Sequence, residues 1–273
     1  MKKRIIVSVI ALPLLVLLIF FAPLGAFGCF AGLVSCIAAT EFLRCTETSL
    51  NKRITAYTAA VAASIPILTA FSLTVFIMPV FFALITALFA ELLISFRFEK
   101  PMDIETVANC VFTGAVMPML LSALVRLGDT QEASVYILLP FVTAFSCDSG
   151  AYFAGMAFGR HKLAPRLSPN KTIEGSIGGF FGSVLFMLIY GLVLRSAGFE
   201  VDLTVMALFG FLGGLMCQFG DLCFSAIKRV CGAKDFGGVI PGHGGVLDRF
   251  DSIYFAAPLI EILVLWTTPI LPR

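Results

Sequence analysis

Apolar blocks about as long as a bilayer is thick recur from one end of this chain to the other, and that recurrence limits what it can fold into. A helix needs about 20 residues to cross a hydrocarbon core of about 30 Å. Inside lipid, only structures that satisfy their own backbone hydrogen bonds are stable. Read between polar breaks, the blocks predict nine spans, at 5–22, 25–41, 54–72, 75–96, 107–125, 134–156, 175–194, 203–224 and 251–269. The expected fold is therefore all-α, a polytopic membrane protein. With 59% hydrophobic and 13% charged residues, the 273-residue chain is far more apolar than a water-soluble domain.

The first block follows Lys2, Lys3 and Arg4 and so imitates a secretory signal. It runs longer than a typical signal core and meets another apolar block directly after Pro23, which favours a retained span. The eight cysteines form no CxxC pair, and most lie inside apolar blocks, where Cys behaves as a small hydrophobe. Neither a zinc site nor a disulfide framework is indicated.

Charge sets the orientation. If the N-terminus is cytoplasmic, 16 of the 19 basic residues fall on the cytoplasmic side and only Arg126, Arg195 and Arg273 fall opposite. The positive-inside rule then predicts an N-in, C-out topology. Residues 1–130, with five spans, carry little intramembrane charge apart from Glu41 and Glu91. Residues 131–273, with four spans and the loops 157–174 and 225–250, hold acids at membrane depth and eight basic loop residues. This second region is where chemistry is expected. Glycines four apart, such as Gly178 with Gly182 and Gly210 with Gly214, are expected to serve close helix packing.

Two segments carry the candidate residues. The first runs from Asp148 in the sixth span through Lys162 to Ser168, Pro169, Lys171, Thr172 and Glu174. An ionised acid inside a span is costly and marks a functional site. Ser168 and Pro169 have the form of an N-cap followed by proline at the first helical position. Lys171, beside a helix start, suits an anionic phosphate. The second segment surrounds a loop with five glycines in the nine positions 237–245, whose backbone can turn several N–H groups toward one anion. Around it stand Asp221, Asp235, Asp248 and Asp251 with Lys228, Arg229, Lys234 and Arg249. Carboxylate oxygens that hold magnesium, next to cations that neutralise a leaving group, suit a nucleoside triphosphate. Asp251 also reads as a cap for the last span, and His243 as a general base or phosphate donor. Neither a Walker loop nor a GxGxxG fingerprint is present.

Ser225-x-Ile227-Lys228-Arg229, then Lys234-Asp235, then Pro241-x-His243-Gly244-Gly245-x-x-Asp248-Arg249-x-Asp251 resembles the signature of the phosphatidate cytidylyltransferases. Asp148-x-Gly150-Ala151-Tyr152 and Ser168-Pro169-x-Lys171-Thr172-x-Glu174-Gly175 are also similar to that family's pattern, so the resemblance covers about residues 140–255. It implies transfer of CMP from CTP to phosphatidic acid, releasing pyrophosphate and forming CDP-diacylglycerol in phospholipid biosynthesis. It implies Mg2+, with room for a second cation, on Asp221 and Asp248, with Asp148 and Asp251 as further metal candidates. Lys228, Arg229, Lys234, Asp235, His243 and Arg249 join Asp221 and Asp248 as candidate catalytic residues. Lys162, Ser168, Lys171, Thr172, Ser225, Gly244 and Gly245 are the candidate substrate-binding residues. The expected partners are CTP, phosphatidic acid and the lipid bilayer, with room for a homodimer and no nucleic acid. The expected location is a bacterial inner membrane, with the site facing the cytoplasm. A transporter would also place acids in the membrane, and a CTP-using lipid-alcohol kinase would share nucleotide binding. The kinase would leave CDP, not pyrophosphate.

Overall fold

A computed structural model of the chain describes residues 13–48, 51–98, 101–130, 132–239, 244–267 and 269–272. Among these, eight helices are long and apolar enough to cross a membrane. They correspond to the second through ninth expected spans. The first, 5–22, falls largely outside the described residues, where only 13–21 are seen as helix. The protein is mostly helical, as expected. Two short antiparallel pairs are present, β1 (Lys162–Ala164) with β2 (Ser168–Thr172), and β3 (Phe199–Val201) with β4 (Ile270–Pro272).

The chain divides into two compact units, residues 1–131 with 231–249, and residues 132–230 with 250–273. In the first, α1 (Leu24–Cys45), α2 (Lys52–Ala70) and α3 (Ile77–Ser95) precede α4, the interrupted span Ile104–Leu127. Polar residues at the sequence breaks start the helices. The Asn51 side chain accepts from the Arg53 N–H at 3.1 Å, and Asp103 accepts from the Thr106 N–H at 2.9 Å, each satisfying a donor the helix leaves open. Hydrogen bonds from Thr106 hold the Asp103 carboxyl below the usual carboxylate range. Within α4, a π-turn spans Phe112–Val116 just before Pro118, whose missing N–H interrupts the regular ladder. Leu43, Ile54, Leu84, Leu88, Val107 and Cys110 form the core.

The second unit holds α5 (Ala133–Phe158), α6 (Ile173–Ser196), α7 (Leu203–Val230) and α8 (Ile253–Thr267). Between α5 and α6 small residues let the backbones nearly touch. A side chain built on Gly150 would meet the Gly178 carbonyl at 2.5 Å, and one on Gly182 would meet the Ser146 carbonyl at 2.8 Å. Gly210 on α7 faces the Ser183 carbonyl in the same manner, at 2.8 Å. Lipid gives helices little hydrophobic reason to associate, so close van der Waals packing of this kind supplies the attraction. The glycine spacing was read from sequence in this sense.

Candidate active site

The connection from α5 to α6 is a hairpin, and it decides where the first group of candidates goes. Ser168 and Pro169 do not cap a helix; they lie in β2, because residues 168–172 pair with β1. The cap is Thr172, whose Oγ1 accepts from the Gly175 N–H at 3.1 Å. Glu174, in the first turn of α6, fastens the hairpin's near end. Its carboxylate accepts from the Arg160 N–H at 3.1 Å and the His161 N–H at 3.2 Å, and meets His161 Nδ1 at 2.6 Å. Lys162 on β1 is exposed.

Held this way, Lys171 at the end of β2 reaches α7, where its ammonium pairs with the Asp221 carboxylate. Each side chain of this pair is only 28% exposed, so its charges are less screened than a surface pair's. One helical turn on, Ser225 Oγ donates to Asp221 Oδ1 at 3.4 Å. Two turns on, Arg229 Nε donates to the Leu167 carbonyl at 2.9 Å, tying the tip of the hairpin to the end of α7. Lys228 is buried. Asp251 comes close to this group because Gly220 has no side chain: a Cβ there would stand 2.7 Å from the Asp251 carbonyl. Asp251 is within electrostatic reach of Asp221, Lys228 and Asp148. Its carboxylate accepts from the Ser252 N–H at 2.7 Å. Three of the expected acids and cations, Asp148, Asp221 and Lys228, thus lie within electrostatic reach of Asp251, and Lys171 joins the group through Asp221.

Under this group lies a polar contact the sequence did not advertise. Gln218, one turn before Asp221, takes the Ser176 hydroxyl on its Oε1 and donates to the Ser176 carbonyl at 2.9 Å, locking α6 to α7. An uncharged Gln in a predicted span carried no signal beyond its polarity.

The glycine-rich segment belongs to the other unit. Gly244 has φ +83°, a conformation that a side chain would strain, and the turn it makes brings Asp248 back onto its own loop. Asp248 Oδ2 accepts from the Phe236 N–H at 3.0 Å and the Gly245 N–H at 2.9 Å. The next two N–H groups, of Val246 and Leu247, bond to Glu41 on α1 at 3.0 and 2.8 Å. Consecutive N–H groups at 245, 246 and 247 thus turn onto two carboxylates of the chain itself. Lys234, Asp235 and Arg249 are exposed around it. His243 lies outside the described residues.

The model of the cytidylyltransferase family matches residues 2–267, almost the whole chain. The chain belongs to the cytidylyltransferase family. Proteins named phosphatidate cytidylyltransferase are similar to it in part. The one from Staphylococcus aureus is 44% identical over 135 residues, which is 50% of this chain and 51% of that protein. The one from Staphylococcus saprophyticus is 41% identical over 135 residues, with the same coverage. The one from Staphylococcus haemolyticus is 43% identical over 130 residues, 48% of this chain and 49% of that one. The chain thus spans about half the length of the curated relatives it matches.

Among the described residues, no three His, Cys, Asp or Glu side chains come together closely enough to cage a metal by themselves. The donor chemistry nevertheless fits a hard divalent cation. Asp221 already takes a cation, the Lys171 ammonium, and carboxylate oxygens are what magnesium prefers.

Proposed function

We propose that the protein is a phosphatidate cytidylyltransferase. A phosphate oxygen of phosphatidic acid attacks the α-phosphorus of CTP, the bond to the bridging oxygen breaks, pyrophosphate leaves, and CDP-diacylglycerol forms. The observation that carries this reading is the pairing of Lys171, on the strand just before one membrane-length helix, with Asp221 inside another, in a family whose matched relatives bear that name. A lipid substrate with a charged head needs apolar walls and a charged mouth.

Asp221 and Asp248 would be the residues to hold magnesium, which would supply positive charge against the triphosphate. Asp148 and Asp251 are the further candidates for this ion or a second one. Lys228, Arg229, Lys234 and Arg249 would offset charge on the leaving pyrophosphate, with Asp235 orienting them and His243 serving as base or donor. Ser225, Gly244 and Gly245 would support the nucleotide, while Lys162, Ser168, Lys171 and Thr172 would receive the phosphatidate head.

In the same reading nine spans cross the membrane N-in and C-out. Residues 131–273 carry the catalysis, and the site faces the cytoplasm from a bacterial inner membrane. The distribution of 16 basic residues against 3 supports that orientation. A homodimer belongs to the same expectation and is testable by the mass of the particle in detergent. The function itself is tested with purified protein, CTP and phosphatidic acid. A lipid-soluble cytidine product with pyrophosphate supports it; CDP with a newly phosphorylated lipid alcohol would make the protein a kinase.

A further inference from the structure

Glu41 has no part in the reaction as proposed above, yet its surroundings are built around its carboxylate. It is 1% exposed, one turn before the end of α1. A carboxylate so placed is costly unless hydrogen bonds satisfy it. Among the described residues its donors are the backbone N–H groups of Val246 and Leu247, more than 200 positions away in sequence. The fit around it is close. A side chain on Gly245 would stand 2.5 Å from its Oε2, and one on Gly237 would also collide with it. Next to it on α1, the Phe42 ring stacks on Phe236 with centroids 5.9 Å apart. The residue after Leu247 is Asp248, and the Phe236 N–H donates to its carboxylate.

The loop is thus fastened on either side to one turn of a membrane helix, through Glu41 at 246 and 247 and Phe42 at 236. We propose that Glu41 is a positioning residue: by holding the Val246 and Leu247 N–H groups it sets the place of Asp248 and of the loop that presents it. The inference rests on the reading of Asp248 as a metal-holding acid for its activity readout, and on geometry alone for its structural readout. Glu41→Gln keeps the size but puts an NH2 group where one of two acceptor oxygens stood, and Glu41→Ala leaves two buried N–H groups without an acceptor.

The test uses the full chain in lipid nanodiscs. Hydrogen exchange is followed at residues 244–250, and the magnesium dependence of CDP-diacylglycerol formation is measured at saturating substrates. Glu41→Gln is expected to speed exchange of the Val246 and Leu247 amides about 10-fold or more. It is also expected to raise the magnesium requirement by a similar factor, with the phosphatidate KM unchanged. Glu41→Asp, which keeps the charge, should restore part of both. Unchanged exchange at 244–250 overturns the proposal. So does faster exchange spread evenly over α1 and α2 with an unaltered magnesium requirement, since that marks a merely structural residue. Should the wild-type protein make no CDP-diacylglycerol, the proposed function falls instead, and the exchange comparison still decides the role of Glu41.

Discussion

The Lys171–Asp221 pair joins two side chains that are 50 positions apart, on a strand and a helix that sequence periodicity alone does not bring together. Both were legible as candidates, one as a cation beside a helix start and the other as an acid in a span. Their pairing was not, because nothing local encodes it. Removing either partner leaves a half-buried charge uncompensated, which costs more than a surface pair would. Lys171→Ala is therefore expected to lower turnover by about 100-fold, and Lys171→Arg to recover part of it, measured as initial rates with CTP and phosphatidate. Asp221→Ala and Asp248→Ala should each lose at least about 100-fold while still inserting in the membrane, as judged by yield in the membrane fraction. Near wild-type turnover in either would remove that acid from the proposed metal site. Glu41 was visible in the sequence only as a stray acid in an apolar block, since its partners are backbone donors that no residue type announces.

At the scale of elements, spans were the most legible feature, because hydrocarbon thickness imposes their length and polar caps end them. The hairpin at 162–172 was missed for a physical reason. Ser-Pro before an apolar run is an N-cap signature, and only the pairing of β2 with β1 shifts the helix start to Ile173. Thr172 takes over the cap, so Thr172→Ala should cost about 1 kcal/mol in stability, read as a lower midpoint of thermal unfolding in detergent. Packing of α5 on α6 gives a sharper test. Gly178 lies against Ala154 so closely that Gly178→Val should destabilise the protein by several kcal/mol, while Leu185→Ala, on an exposed position of the same helix, should change the midpoint little.

For the molecule as a whole, the orientation and the division of labour between loops are the remaining expectations. With the native cysteines replaced, a single cysteine at Lys162 should react with a membrane-impermeant thiol reagent only in inverted vesicles. One at Gly198 should react only in right-side-out vesicles. The opposite pattern would reverse the proposed topology. Comparing Lys171→Ala with Lys234→Ala, the first should raise the phosphatidate requirement and the second the CTP requirement, each with the other substrate saturating. The measurement that bears most directly on the central claim follows the α-phosphate of CTP. Purified protein with magnesium and phosphatidic acid should move α-labelled phosphate into the lipid, one for each pyrophosphate released, and Asp221→Asn should abolish that transfer while remaining folded. Label retained in free CDP, or undiminished transfer by Asp221→Asn, would contradict it.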